Sequence, residues 1–265
     1  MIGGPLVSSK DTKGQGMRPK LIARIGALTA AFLVAWTPQG VHAMSVSPTH
    51  IELKSAGSES RAQVIVRNDS SAPLPVEAQL QKLLVDANGK SHAGAASDDF
   101  LVFPPQTLIP PGASQVFRIT WVGEPLIDKS RSYQLTLSQI PVRLKQTNSR
   151  VQVVMAFGVV INVAPPRGQA QLDLVGTSIT KNAKGERNPV ITVRNPSRVH
   201  ALLPQSTIRL SGGGWSQTLT PAVLDQRVGI GLVQPGKERR FVLPVALPPG
   251  VHKVSASLEF RPGRN

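Results

Sequence analysis

Residues 150–168 read RVQVVMAFGVVINVAPPRG. Successive side chains of a strand point to opposite faces, so an extended chain here puts Val151, Val153, Met155 and Phe157 on one face and Gln152, Val154, Ala156 and Gly158 on the other. Both faces are largely apolar. That pattern fits a central strand covered from two sides, and it equally fits a strand that offers one edge and one face to a partner. Each such side chain is worth ~1.5 to 3 kcal/mol when fully buried, so four are enough to hold an incomplete partner, and a bare apolar edge invites aggregation. The prolines that follow cannot donate to a ladder, so Pro165-Pro166-Arg167-Gly168 ends the strand and divides the chain.

Upstream of that break, short segments of alternating polarity run over residues 45–53, 61–67, 76–85, 100–103, 114–122 and 133–140 before the strand at 150–163. Asp86-Ala87-Asn88-Gly89-Lys90 and Pro110-Pro111-Gly112 supply turn chemistry between them. Downstream the style repeats over 171–176, 190–194, 201–210, 215–220, 228–232, 239–247 and 251–260. Helical periodicity is almost absent. Half-buried strands at this rhythm predict an all-β chain of two immunoglobulin-like β-sandwich domains, residues 44–164 and 169–265, joined by a short Pro-rich hinge at 165–168. A short internal parallel accompanies the repetition, since Val64-Ile65-Val66-Arg67-Asn68 and Val190-Ile191-Thr192-Val193-Arg194-Asn195 both end a β-branched run on Arg-Asn.

Residues 1–43 do not belong to this pattern. Met17-Arg18-Pro19-Lys20 and Arg24 precede the apolar run Ile25 to Trp36, and Val41-His42-Ala43 has the small-residue character of a signal-peptidase site. The expectation is a signal peptide cleaved after Ala43, with translation starting at Met1 or, given the polar, Gly-rich stretch before it, at Met17. The apolar run is well short of the ~20 residues that span a bilayer, so no stable membrane insertion is expected after cleavage.

Of 30 Lys and Arg and 15 Asp and Glu, five and one precede Met44, which leaves 25 against 14. Sixteen of those 25 cations are Arg, spread singly along strands rather than clustered as in nucleic-acid patches. No nucleic-acid partner is expected. The chain has no Cys, which excludes a disulfide-stapled miniature scaffold and thiolate zinc sites.

Catalytic and cofactor signatures are missing from the sequence. His50, His92, His200 and His252 have no close-spaced partner for a shared metal, and His92, His200 and His252 read as surface or strand positions. There is no Gly-x-Ser-x-Gly elbow. Gly212-Gly213-Gly214 is followed by Trp215 rather than by Gly-Lys-Ser/Thr, so it reads as a hairpin loop and not a phosphate cradle. No catalytic residue, metal or cofactor is expected, and the protein should work without ATP. The competing non-enzymatic reading is an exported adhesion or carbohydrate-binding module. Its aromatic platforms would have to come from Trp121, Trp215, Tyr133 and the Phe residues alone.

The first domain resembles the PapD-like periplasmic chaperones of the chaperone-usher pilus pathway. The resemblance is carried by Ser45-Val46-Ser47-Pro48-Thr49, Val66-Arg67-Asn68, Phe103-Pro104-Pro105-Gln106-Thr107-Leu108-Ile109-Pro110-Pro111-Gly112, Val116-Phe117-Arg118-Ile119, Gln139-Ile140-Pro141-Val142 and the strand running into Pro165. It implies a periplasmic protein whose last first-domain strand, with Val151, Val153, Met155 and Phe157, is donated to pilin-like subunits that an outer-membrane usher then receives. Dimerisation through the same edge is an open option for the free protein. The family pattern anchors the subunit's carboxylate with an Arg on the first strand and a Lys on the donor strand. His50 and Val160 stand at those places here, which marks a divergent or archaic branch and leaves Arg118 and His50 as the candidate anchors.

Overall fold

The computed structural model describes residues 44–141 and 154–263. The expected signal peptide and the expected partner-binding residues Val151 and Val153 lie outside the described residues. The first domain runs through β1 (Ser45–Ser47), β2 (His50–Lys54), β3 (Arg61–Arg67), β4 (Leu74–Val85), β5 (Ser91–Ala96), β6 (Phe100–Phe103), β7 (Gln106–Ile109), β8 (Ser114–Trp121), β9 (Arg131–Gln139) and β10 (Ala156–Ala164). One sheet has the order β1-β3-β8-β6, and the facing sheet the order β2-β10-β9-β4-β5, with β7 also paired to β4. Period-2 burial explains the layering: Tyr133, Leu135 and Leu137 of β9 and Val159, Ile161 and Val163 of β10 have no exposed surface and meet Val64, Val66 and Phe117 from the other sheet. Phe100, Trp121 and Tyr133 pack edge to face at 5.0 to 5.9 Å. Their polar ends are satisfied, the Tyr133 hydroxyl donating to Asp99 Oδ2 at 2.6 Å and the Trp121 indole to the Glu124 carbonyl at 3.0 Å.

The second domain is built from β11 (Asp173–Lys181), β12 (Arg187–Arg194), β13 (Ala201–Leu202), β14 (Ser206–Gly212), β15 (Trp215–Leu219), helix α1 (Pro221–Val228), β16 (Leu232–Val233), β17 (Glu238–Val242) and β18 (Ser255–Phe260). Its sheets have the orders β11-β12-β17, β13-β16 and β15-β14-β18. A separate apolar core lies between them, including Ile191, Leu203, Ile208, Leu210 and Leu224. Both halves are immunoglobulin-like β-sandwiches.

The structure departs from the sequence rhythm in several places. The expected strand at 45–53 is two strands in different sheets, divided at Pro48 and Thr49. The expected strand at 201–210 is broken by a 3-10 turn, Leu203–Gln205, around Pro204. The segment expected as a strand at 228–232 follows a two-turn helix, α1, which starts on Thr220 and Pro221 and stops at Gly229 (φ 74°); a helix with Leu224 as its only buried residue leaves little periodicity to read. β5 and β7 were not expected, because the first is exposed along nearly all its length and the second has only four residues.

The short Arg-Asn parallel marks a repeated corner. Asn68 and Asn195 are both fully buried. Asn68 Nδ2 donates to the carbonyls of Ala72 and Ile109 at 2.8 and 3.0 Å, and its Oδ1 accepts from the Ser70 amide and hydroxyl at 3.0 and 2.7 Å. Asn195 does the same with the carbonyls of Val199 and Val233, at 2.8 and 3.0 Å, and with Ser197 at 2.9 and 2.7 Å. The main chain repeats as well, since the Gly112 amide donates to Asn68 O and the Gly236 amide to Asn195 O, both at 2.9 Å. A side-chain amide with two donors and one acceptor is what closes this corner against two strands at once. Replacing Asn68 or Asn195 by Ala should destabilise the protein by about 2 to 4 kcal/mol in urea unfolding, because several buried groups lose their partners together. A loss within ~0.5 kcal/mol, as for an ordinary surface site, would rule out this role.

Candidate functional site

β10 is paired on both sides for only part of its length. Its antiparallel pairing with β9 covers Ala156 to Val163, whereas its parallel pairing with β2 begins at Val160, opposite His50. The Val160 amide donates to Thr49 O at 3.0 Å, and the Met155 carbonyl accepts from the Gln139 amide on the opposite edge at 2.9 Å. Because hydrogen-bonding directions alternate along a strand, the main-chain groups of Ala156 and Gly158 point to the β2 side, beyond the end of β2. β1 cannot cover them, since it pairs with β3 in the other sheet. Among the described residues no strand lies along this stretch. Met155 and Phe157 face the first core and are half-buried, while Val154, Ala156 and Gly158 on the other face are exposed.

Downstream of this open edge the outer face of β10 meets the second domain. Val160 lines a cavity of about 160 Å³ with Leu83, Val85, Ile230, Leu232 and Arg239. Asn162, fully buried, accepts from the Ser132 hydroxyl at 2.8 Å and donates to Glu52 Oε1 at 2.9 Å. His50 Nε2 lies 2.5 Å from the same oxygen. The other oxygen, Oε2, accepts from Nε2 of His200, a residue of the second domain whose Nδ1 lies 3.0 Å from the Ser130 hydroxyl. Partial desolvation alone would raise the Glu52 carboxyl; hydrogen bonds from His200, His50 and Asn162 and the Coulombic pull of His200 outweigh it and hold the group at about 2. A second link between the domains comes from the β4–β5 hairpin. Gln234 donates to Leu83 O at 2.9 Å, and the Arg240 amide to Ala87 O at 2.7 Å. The hairpin turn approaches so closely that a Cβ on Gly89 (φ 88°) would sit 2.6 Å from Arg239 Nη2.

Residues 43–165 match the family model described as pili and flagellar-assembly chaperone, PapD N-terminal domain. The first domain is therefore similar to the N-terminal domain of the PapD-like pilus chaperones. The family is one of chaperones rather than enzymes. No curated protein sequence matches the chain. Among solved structures it is similar to the class 5 fimbriae chaperone CfaA, with 16% identity, 82% of this chain and 99% of that chain covered and a TM-score of 0.49. It is also similar to a chain of the CsuC–CsuE chaperone and tip-subunit complex from archaic Csu pili of Acinetobacter baumannii, at 15%, 76%, 90% and 0.47. A third is from the complex of Salmonella enterica SafA pilin with the SafB chaperone, at 14%, 83%, 88% and 0.48.

In this PapD-like frame, the structure brings only some of the expected residues together. Met155, immediately before β10, and Phe157 on it both pack against the first core. His50 and Val160 are ladder partners at the domain junction. Arg118 is elsewhere: it is exposed on β8, paired with Gln63 and Phe103 in the opposite sheet, and lines neither the cavity bordered by Glu52 and His200 nor the one bordered by His50. His200, expected on a surface or strand, is 4% exposed and joins the two domains. Glu52 and Asn162 were not singled out from sequence. Their signal was present in two features, one polar residue in the apolar run Val159 to Val163 and the alternation His50-Ile51-Glu52-Leu53-Lys54 that sets three polar groups on one face. Among the described residues no group of three His, Cys, Asp or Glu has an arrangement to hold a metal ion.

A carboxyl held below its ordinary 4.5 stabilises the fold fully above that value and loses the contribution as the pH falls through about 2. The Glu52 side chain keeps 30% of its exposure, so solvent screening reduces the contribution to about 1 to 2 kcal/mol. Glu52→Gln should therefore be less stable than the parent by that amount at neutral pH, with the gap closing between pH 4.5 and 2. Thermal unfolding of both proteins across this range checks it, and a gap that does not change with pH contradicts it.

Proposed function

We propose that the chain is a periplasmic chaperone that holds pilin-like subunits by lending them the edge of β10 as an extra strand, and delivers them to an outer-membrane usher for fibre assembly. The observation that supports this most is the open edge itself. Ala156 and Gly158 offer main-chain donors and acceptors beside the half-buried Met155 and Phe157. Strand addition needs those two components, a ladder for affinity and alternate side chains for pockets. Val151 and Val153 continue the Met155–Phe157 face by the period-2 rule and complete the proposed donor strand. Main-chain pairing and apolar burial supply the driving force, so the cycle runs without ATP.

The periplasmic location is supported by the match of the first domain and by the signal peptide read from the sequence at residues 17–43. The pilin-like partner is in keeping with the relatives solved as complexes with a tip subunit and with a pilin. An adhesion or sugar-binding role is less well supported, because Trp121 and Tyr133 are buried in the first core and do not form a platform.

Ala156→Pro is the sharpest test, since it removes an N–H that points to the open edge and has no ladder partner among the described residues. Co-expressed with a pilin-like subunit, the parent should give a soluble one-to-one complex. Ala156→Pro and Val153→Asp should each abolish it, with the thermal stability of the free Ala156→Pro protein unchanged. Recovery of the complex with both variants would remove β10 from the mechanism.

A further inference from the structure

Three N–H donors from three separate elements converge on the carboxylate of Glu52. His50 Nε2 comes from β2, Asn162 Nδ2 from β10 and His200 Nε2 from the loop before β13. This is the donor set of an anion site: two imidazoles and an amide aimed at the two oxygens of one carboxyl group. The site is built rather than accidental. The His200 side chain is 3% exposed and fixed behind by Ser130, and Asn162 is fully buried and fixed by Ser132. Two cavities adjoin it, the first lined by Glu52 and His200 and the second by His50. The first, of about 490 Å³, is also bordered by Lys54, Arg167 and Gln205, and the second, of about 630 Å³, by Thr49, Gln205 and Asp225. Lys54 is itself paired with Glu59 at 2.6 Å.

We propose that His50, Asn162 and His200 form a carboxylate-binding site shared by the two domains, and that Glu52 fills it as a ligand supplied by the chain itself. Occupied in this way, the site ties the first sandwich to the second and is closed to other carboxylates. Any carboxylate brought into the cleft has to displace Glu52, whose tether gives it a high effective concentration. This assignment stands on the geometry of the cleft and does not depend on the strand-donating role of β10.

Chemical rescue tests it. Glu52→Ala leaves the three donors facing a space the size of a small carboxylate, so the variant should have a lower Tm than the parent. Sodium acetate should raise that Tm by several degrees more than it raises the parent's, whereas acetamide should not. His200→Ala in the Glu52→Ala background should abolish the rescue. Equal acetate effects on parent and variant, or rescue that survives loss of His200, would overturn the proposal. Should Glu52→Ala fail to fold, the imidazole ¹⁵N signals of His50 and His200 in the parent decide the matter. They should stay in place during an acetate titration, and movement would show that Glu52 does not close the site.

Discussion

A strand interior to a sheet has to satisfy main-chain donors and acceptors on both edges, and β10 meets that demand for only part of its length. From Val160 onward β2 runs beside it in parallel. Before Val160 the first strand of the domain has crossed to the other sheet, where Ser45 to Ser47 pair with Arg67 to Ile65. The break at Pro48 and Thr49 therefore does more than divide one strand into two. It opens a gap beside the N-terminal half of β10 while the C-terminal half becomes a fully paired central strand. Position along a single strand separates anchoring from availability, and the proposed strand addition needs that separation.

The two faces of β10 follow the same division. Val159, Ile161 and Val163 fill the first core, and the alternate residues Val160, Asn162 and Ala164 face the second domain, with Ala164 belonging to the second core. The apolar character of both faces thus has two causes along one strand. In the C-terminal half it reflects burial between two sandwiches, and in the N-terminal half it leaves Val154 exposed and Met155 and Phe157 half-covered. The polar exception, Asn162, sits where the domains meet around Glu52. Ion pairs of this kind add little net stability against apolar packing of the same shape, and their usual contribution is to define one arrangement among several. Here that arrangement is the approach of the second sandwich to β2 and β10, reinforced by the β4–β5 hairpin against Gln234 and Arg240.

Much of the fold was legible because half-buried strands write their period directly into sequence. Residues 61–67 and 100–103 are strands with those bounds. The five-residue Arg-Asn parallel, thin as a sequence match, corresponds to two corners with the same hydrogen bonds around Asn68 and Asn195. What stayed hidden has physical reasons. Helix α1 buries a single side chain, so no periodicity betrays it. The change of sheet after Ser47 preserves alternation on either side and so cannot be seen in polarity alone. His200 looked like an ordinary strand or surface histidine because its partners, Glu52 and Ser130, lie 148 and 70 residues away in sequence.

The two departures from the family's basic pair are connected through the ladder. His50 and Val160 are paired residues, so a change at one is felt at the other. Val160 looks toward Leu83, Val85, Ile230 and Leu232, where an ammonium group would lose hydration without gaining a carboxylate. Val is the residue that this lining favours, and it leaves the cleft with one cation fewer. Glu52 lies two residues along β2 from His50, on the same face, and its charge is met by imidazoles from both domains rather than by an arginine or lysine. Glu52 takes up both imidazoles and Val160 lines an apolar wall, so neither position presents an uncommitted cation to the cleft. The features that weaken the resemblance at the anchor are, in this chain, parts of one compensated junction.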